Sequence, residues 1–196
     1  MEDKFEALIE GLLEHQFGLA NAFISPELTA ALRQQLVYLY ESGAMKPAGI
    51  GQHFTYAKNL KIRGDMIYWL EKENSAAEKA FLEQIEAFID YLNRTCYAGI
   101  NAFEFHFARY ETGSFYKRHL DQFKSDQGRK FSLVTYLNED WSASDSGQLL
   151  LFSGEKPVEI YPTGGSAVFF KSDEVEHEVK PAIRPRLSIA GWLKRI

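Results

Sequence analysis

The chain of 196 residues contains a single cysteine, Cys96, so it can form neither an internal disulfide nor a cluster of thiolates around zinc. A reducing, cytoplasmic setting is the expectation. It also lacks an excess of basic charge. With 22 Lys and Arg against 27 Asp and Glu, a net −5, it is not expected to bind nucleic acid. No apolar run reaches about 18 residues, and the first residues, "MEDKFEALIE", lack a basic stretch leading into an apolar one. Neither a membrane span nor a secretion signal is therefore expected. With no Ser/Gly/Pro-rich linker, no internal repeat and no low-complexity tract, residues 1–196 read as one domain.

What the chain does contain is a change of period. Phe5, Leu8, Ile9, Leu12 and Leu13 fall at helical spacing. A second helix is predicted in "SPELTAALRQQLVYLYESG", with Ser25 as N-cap, Pro26 in the first helical position and Gly43 ending it. A third, "SAAEKAFLEQIEAFIDYLNR", gathers Phe81, Leu82, Ile85, Phe88, Ile89 and Leu92 on one face. Between these last two lie a Gly-rich loop, "KPAGIGQHF", and a predicted strand, "RGDMIYWL". Further on, the apolar residues alternate. "NAFEFHFARY" sets Phe103, Phe105 and Phe107 against Glu104, His106 and Ala108, the pattern of a half-buried strand. The segments "KFSLVTYLN", "GQLLLF", "PVEIY", "GSAVFF" and "RLSIAGWL" follow, separated by turn signals such as "SDSG" and "PTGG". Helices first and short strands afterwards predict an α+β fold. Helical support over about residues 1–95 would buttress a sandwich or small barrel, such as a jelly roll, over about 96–196.

Chemistry concentrates in "YKRHLDQF". In an extended segment residues two apart face the same side, so His119 and Asp121 can offer a nitrogen and an oxygen to one ion. Of His15, His53, His106 and His177, only His177 follows a predicted strand in the β half at its end. Two histidines and one carboxylate on one face of an ion leave its other positions open, which suits non-haem Fe(II) that must admit a co-substrate and oxygen. The competing readings are a hydrogen-bonded surface histidine for His119 and a solvated charged face for His177 between Glu176 and Glu178. In the last strand, alternation puts Arg186, Ser188, Ala190 and Trp192 on one face and Leu187, Ile189 and Leu193 on the other. An inward guanidinium among small residues fits a planar carboxylate ligand held by two hydrogen bonds; its alternative is a protein carboxylate. The local clusters Lys117-Arg118 and Arg184 to Arg186 likewise favour an anionic ligand.

This combination resembles the 2-oxoglutarate and Fe(II)-dependent dioxygenases, specifically the prolyl 4-hydroxylase group. "RGDMIYWL", "ARYETGSFYKRHLD", "GRKFSLVTYLNEDW", "SGQLLLF", "AVFFKSDEVEHEVKPA" and "RLSIAGW" look, in this order, like the catalytic domain of the hypoxia-inducible factor prolyl hydroxylases and their bacterial homologues. The resemblance implies a double-stranded β-helix (jelly roll) core. It implies Fe(II) held by His119, Asp121 and His177, and 2-oxoglutarate held through its distal carboxylate by Arg186 and Tyr136, with Tyr110 near its chelating end. Arg129 and Trp192 would line a peptide groove, and Arg63 with Asp65 would belong to a mobile region closing over substrate. The implied reaction uses O2, with ascorbate as reductant. It couples hydroxylation of a proline in a protein to decarboxylation of 2-oxoglutarate to succinate and CO2. The bacterial relatives point to elongation factor Tu as a candidate partner. One departure is Ala190, where the hypoxia-inducible factor enzymes carry threonine, so their oxygen handling and co-substrate affinity do not transfer. Two other readings stand beside this one: the same chemistry on a free amino acid or other small molecule, and a non-catalytic jelly-roll module that holds a metal or ligand. A zinc hydrolase would leave Arg186 and Tyr136 without a task.

Overall fold

The computed structural model describes residues 1–49, 63–122 and 128–196. Two antiparallel sheets face each other. The larger has seven strands in the order β1 (Phe17–Ala20), β9 (Ala167–Lys171), β6 (Arg129–Tyr136), β11 (Arg186–Lys194), β4 (Ala102–Tyr110), β3 (Asp65–Trp69) and β2 (Lys46–Pro47). The smaller has four, in the order β5 (Tyr116–His119), β10 (Glu176–Val179), β7 (Leu149–Phe152) and β8 (Val158–Ile160). This is the expected α+β jelly-roll architecture.

Three helices, α1 (Glu2–His15), α2 (Pro26–Glu41) and α3 (Ala76–Cys96), cover the outer face of the larger sheet. Their limits follow from local chemistry. Ser25 Oγ accepts the Leu28 amide at 3.2 Å and Pro26 opens α2, while Gly43 takes φ 74° just past its end. Ser75 caps α3 by accepting the Glu78 amide at 3.1 Å, and Glu78, itself buried, accepts the Glu71 amide and the Asn74 side chain. All six apolar residues expected on one face of α3 are buried. In α1 the pattern fails at Leu13, which is 80% exposed, whereas Phe5, Leu8 and Ile9 are buried and Leu12 packs partly against the same core. Gly18 on β1 permits close packing against α1, since a Cβ there would lie 1.9 Å from the Leu8 carbonyl oxygen.

Alternation along the strands divides two cores. Phe105, Phe107, Leu133, Phe169, Leu187, Ile189 and Leu193 point to the helices. Ala108, Tyr110, Tyr136, Val168 and Phe170 point between the sheets, where Leu149, Leu151, Ile160 and Val179 meet them.

Two expectations need correction. Residues 1–95 are not only helical support, because besides the predicted strand in "RGDMIYWL", which is β3, they contribute β1 and β2 to the larger sheet. β1 and β2, of four and two residues, are too short to show a period in the sequence. Nor is β4 half-exposed: His106, Ala108 and Tyr110 are as buried as the phenylalanines opposite, because the second sheet roofs that face.

Candidate active site

The roofed face of the larger sheet forms the floor of a cavity of about 490 Å³. Strand register arranges its side chains in rows. Asp65, Tyr110 and Arg186 lie side by side on β3, β4 and β11; the next row is Ile67, Ala108, Ser188 and Tyr136; then Trp69, His106, Ala190 and Val134; then Glu104, Trp192 and Ser132. The small side chains of Ala108, Ser188 and Ala190 leave the middle open, as the alternation in "RLSIAGWL" predicts.

The smaller sheet supplies the converging donors. His119 ends β5 and is paired in register with His177 on β10. His177 therefore lies within a strand rather than at the end of one, and Asp121 sits in the bend after β5. One ligand-type atom from each of His119, Asp121 and His177 falls within 4.8 Å of the others. The Nδ1 atoms are engaged by backbone carbonyls, Lys117 O at 2.7 Å and Val175 O at 3.2 Å. Both Nε2 atoms thereby turn to Asp121 Oδ1, at 3.4 Å from His119 and 3.5 Å from His177. Burial alone would raise the Asp121 carboxyl, but the charge and hydrogen bonding of the two imidazoles pull it well below the usual range. Burial opposes protonation of His177 too, yet the Asp121 carboxylate outweighs it and the net shift is upward; for His119 burial prevails and the shift is downward. The pocket thus favours positive charge beside Oδ1. Two neutral imidazole nitrogens and one carboxylate oxygen, with space on the cavity side, are a donor set that fits Fe(II) with open positions.

At the other end, Arg186 is buried at 2% exposure. Among the described residues it has no carboxylate within 4.0 Å. Its Nε donates to the Gly147 carbonyl at 3.0 Å and Nη1 approaches Ser188 Oγ at 3.5 Å. Gly147 has φ 72°, and a Cβ there would come within 2.8 Å of Ala182 and 3.0 Å of Trp141, so this carbonyl reaches the guanidinium only from a glycine. The Tyr136 and Tyr110 rings lie 5.0 and 5.4 Å from the Arg186 Cζ. Among the described residues the buried Tyr136 hydroxyl makes no hydrogen bond of good geometry, its nearest polar neighbour being the Arg186 guanidinium, and burial raises the pKa of both phenols. Among the described residues this buried cation has no carboxylate partner, and leaving such a group without one costs about 1–3 kcal/mol or more, which favours an anionic ligand. A carboxylate of a small ligand fits the guanidinium, which lines the cavity beside Tyr110 and packs against the Tyr136 ring.

Of the remaining candidates, Arg63, Arg129 and Trp192 line the cavity, and Asp65 reaches it only through its pair with Arg63. Arg63 and Asp65, expected in a mobile region, form a bidentate pair at 2.7 and 2.5 Å beside β3, with Asp65 buried rather than exposed. Residues 50–62 of the loop that precedes them lie outside the described residues. Arg129 stacks over Trp192 at 3.4 Å and pairs with Glu104 at 2.7 Å. Of the basic clusters, only Arg186 enters the cavity interior: Arg118 pairs with Glu176, and Arg184 with Asp145 at 3.2 Å.

Sequence reasoning missed four participants. Tyr116 stacks on His119 with centroids 3.5 Å apart, under Arg63, and is pushed up to about 12 by burial. His106, between Trp69 and Trp192, is buried and held down at about 4, mainly by burial. Ser132 and Ser172 lie behind Asp121. For Ser132 the signal was present, because "KFSLVTYLN" places it on the face of Val134 and Tyr136.

The family described as the 2OG-Fe(II) oxygenase superfamily matches residues 105–194. A solved prolyl-4-hydroxylase from Pseudomonas putida superposes with a TM-score of 0.89 at 35% identity, covering 98% of this chain and 99% of that one. A prolyl hydroxylase solved with a hypoxia inducible factor oxygen degradation domain peptide fragment, from Trichoplax adhaerens, gives 0.88 at 29% identity over 99% and 90%. Human Egl nine homolog 1 is 28% identical over 95% of this chain and 46% of its own length, so the chain spans about half of that relative.

Proposed function

We propose that this chain, which belongs to the 2OG-Fe(II) oxygenase superfamily, is a prolyl hydroxylase-type dioxygenase acting on a proline within a protein. The observation that carries the reading is the pairing, in one cavity, of a His119, Asp121 and His177 donor set with a buried Arg186 that has no carboxylate partner among the described residues. The family implies Fe(II), 2-oxoglutarate and O2; when bound, they supply the oxidising chemistry that converts a C–H bond to an alcohol while 2-oxoglutarate is converted to succinate and CO2.

The chain's own groups have defined tasks in this reading. His119, Asp121 and His177 would hold the metal, each through one donor atom. Arg186 and the Tyr136 hydroxyl bind the distal carboxylate, which fixes one orientation of the co-substrate, and Tyr110 packs beside it. Trp69 and Trp192, with Arg129 stacked on the latter, form a wall at the outer rows that suits a proline ring and its flanking peptide. Arg63 and Asp65 brace the cavity edge next to Tyr116. Ascorbate serves as reductant. The unpaired Cys96 supports a cytoplasmic setting. Elongation factor Tu is the candidate partner, by analogy with bacterial relatives.

Peptide mass spectrometry of elongation factor Tu and of lysate proteins, treated with enzyme, Fe(II) and 2-oxoglutarate, tests the proposal. One added oxygen on a proline, missing with Asp121→Ala, is the expected result. Succinate without an oxidised protein would move the substrate to a small molecule. No succinate at all would refute catalysis.

A further inference from the structure

The two oxygens of Asp121 have different surroundings. Oδ1 faces both imidazoles, whereas Oδ2 accepts a 2.7 Å hydrogen bond from Ser132 Oγ. Ser132 Oγ lies 2.9 Å from Ser172 Oγ, and both serines are fully buried. An ionised carboxylate only accepts, so the Ser132 proton points at Asp121 and the Ser172 hydroxyl becomes the donor to Ser132. The result is a directed chain from Ser172 through Ser132 to Oδ2. Backbone bonds brace it: the Gln122 amide donates to the Ser172 carbonyl at 3.0 Å, the Ser172 amide to the Lys130 carbonyl at 3.1 Å, and Arg129 Nη1 to the Asp121 carbonyl at 3.3 Å. Ser132 is also in register with Trp192, so one strand position touches both the donor set and the aromatic wall.

We propose that Ser132 and Ser172 are positioning residues that restrict Asp121 to coordination through Oδ1 alone, which limits the protein to three donors and reserves the other positions for co-substrate and oxygen. This rests on the reading of His119, Asp121 and His177 as a metal site. A carboxylate free to rotate can bind a cation through both oxygens and take up one more position. A buried hydroxyl on Oδ2 opposes that rotation, and loss of such outer partners typically weakens metal binding by about 10–100-fold.

The test uses metal alone on the full chain. Mn(II) is titrated into metal-free protein with free Mn(II) followed by EPR, and Co(II) absorption reports coordination number. Ser132→Ala is expected to weaken Mn(II) binding by roughly 10–100-fold and to shift the Co(II) spectrum toward higher coordination. Ser132→Thr, which keeps the hydroxyl, should stay near wild type. Ser172→Ala should show a smaller loss, and the double alanine variant should be no weaker than Ser132→Ala, because the two serines act in series. Thermal unfolding in chelator separates these effects from folding. A folded Ser132→Ala chain with wild-type affinity and spectrum overturns the proposal, as do single losses that simply add. Should Ser132→Ala not fold, a Ser172→Ala chain with unaltered affinity overturns it equally. If wild-type protein binds no Mn(II), the metal reading itself fails and this inference with it.

Discussion

On the proposed reading, Arg186→Lys separates recognition of the distal carboxylate from the other roles of the cavity. The guanidinium uses Nε on the Gly147 carbonyl, turns Nη1 toward Ser188 Oγ and lies over the Tyr136 ring. A carboxylate ligand meets a planar fork there, whereas lysine offers one compact charge on a stem that no longer bonds Gly147. Net charge is preserved, so the expected loss is one charge-assisted hydrogen bond plus the fixed orientation. At about 1.5–3 kcal/mol, that is roughly a 10- to 150-fold weaker affinity for 2-oxoglutarate. Calorimetric titration of 2-oxoglutarate into Mn(II)-loaded protein measures it directly. The control ligand is 2-oxobutyrate, which keeps the keto acid and lacks the distal carboxylate. Wild type should prefer 2-oxoglutarate strongly, and the variant should lose most of that preference while binding 2-oxobutyrate as before. An affinity for 2-oxoglutarate within about twofold of wild type, or equal losses for both ligands, would refute the argument.

Other outcomes follow from the same geometry. Asp121→Ala should abolish Mn(II) retention yet leave far-UV circular dichroism and the thermal midpoint in chelator close to wild type, since the donors stand at the cavity rather than in either apolar core; loss of the fold instead would mark a structural site. Metal binding should weaken on acidification, because His119 and His177 must be neutral to bind and Asp121 already favours a proton on His177; a Mn(II) affinity constant between pH 8 and 6 would contradict this. For His106 the folded value of about 4 lies below the unfolded value near 6.5, so the unfolded chain takes up the proton first. Its contribution to stability is complete above about pH 6.5 and falls by about 3 kcal/mol as pH drops toward 4; urea unfolding in chelator should show this slope reduced in His106→Phe. Trp192→Ala removes the surface on which Arg129 stacks and should raise KM for a peptide substrate several-fold without altering KM for 2-oxoglutarate; equal rises would place Trp192 elsewhere in the mechanism.

Periodicity carries information only over segments long enough to repeat. The three helices, with the Ser25 cap of the second, and the long strands around Phe105 and Ile189 were legible for that reason, whereas the Ser75 cap of α3 came from the structure. The facing of Arg186 with Ser188, Ala190 and Trp192 followed from the two-residue period of β11 alone. β1 and β2 were not, being four and two residues long, and β4 was misread as half-exposed because exposure depends on what packs over a strand.

The same division runs through the site. The sequence by itself determined which residue types were available, His119 and Asp121 two apart, and which face of each long strand they share, because backbone geometry fixes those relations locally. Only the tertiary structure decided that His177 would stand opposite His119, that Arg186 would lack a carboxylate among the described residues, and that Ser132 and Ser172, 40 residues apart, would meet behind Asp121. Those relations are set by strand pairing and by the packing of one sheet over the other, and neither leaves a period along the chain.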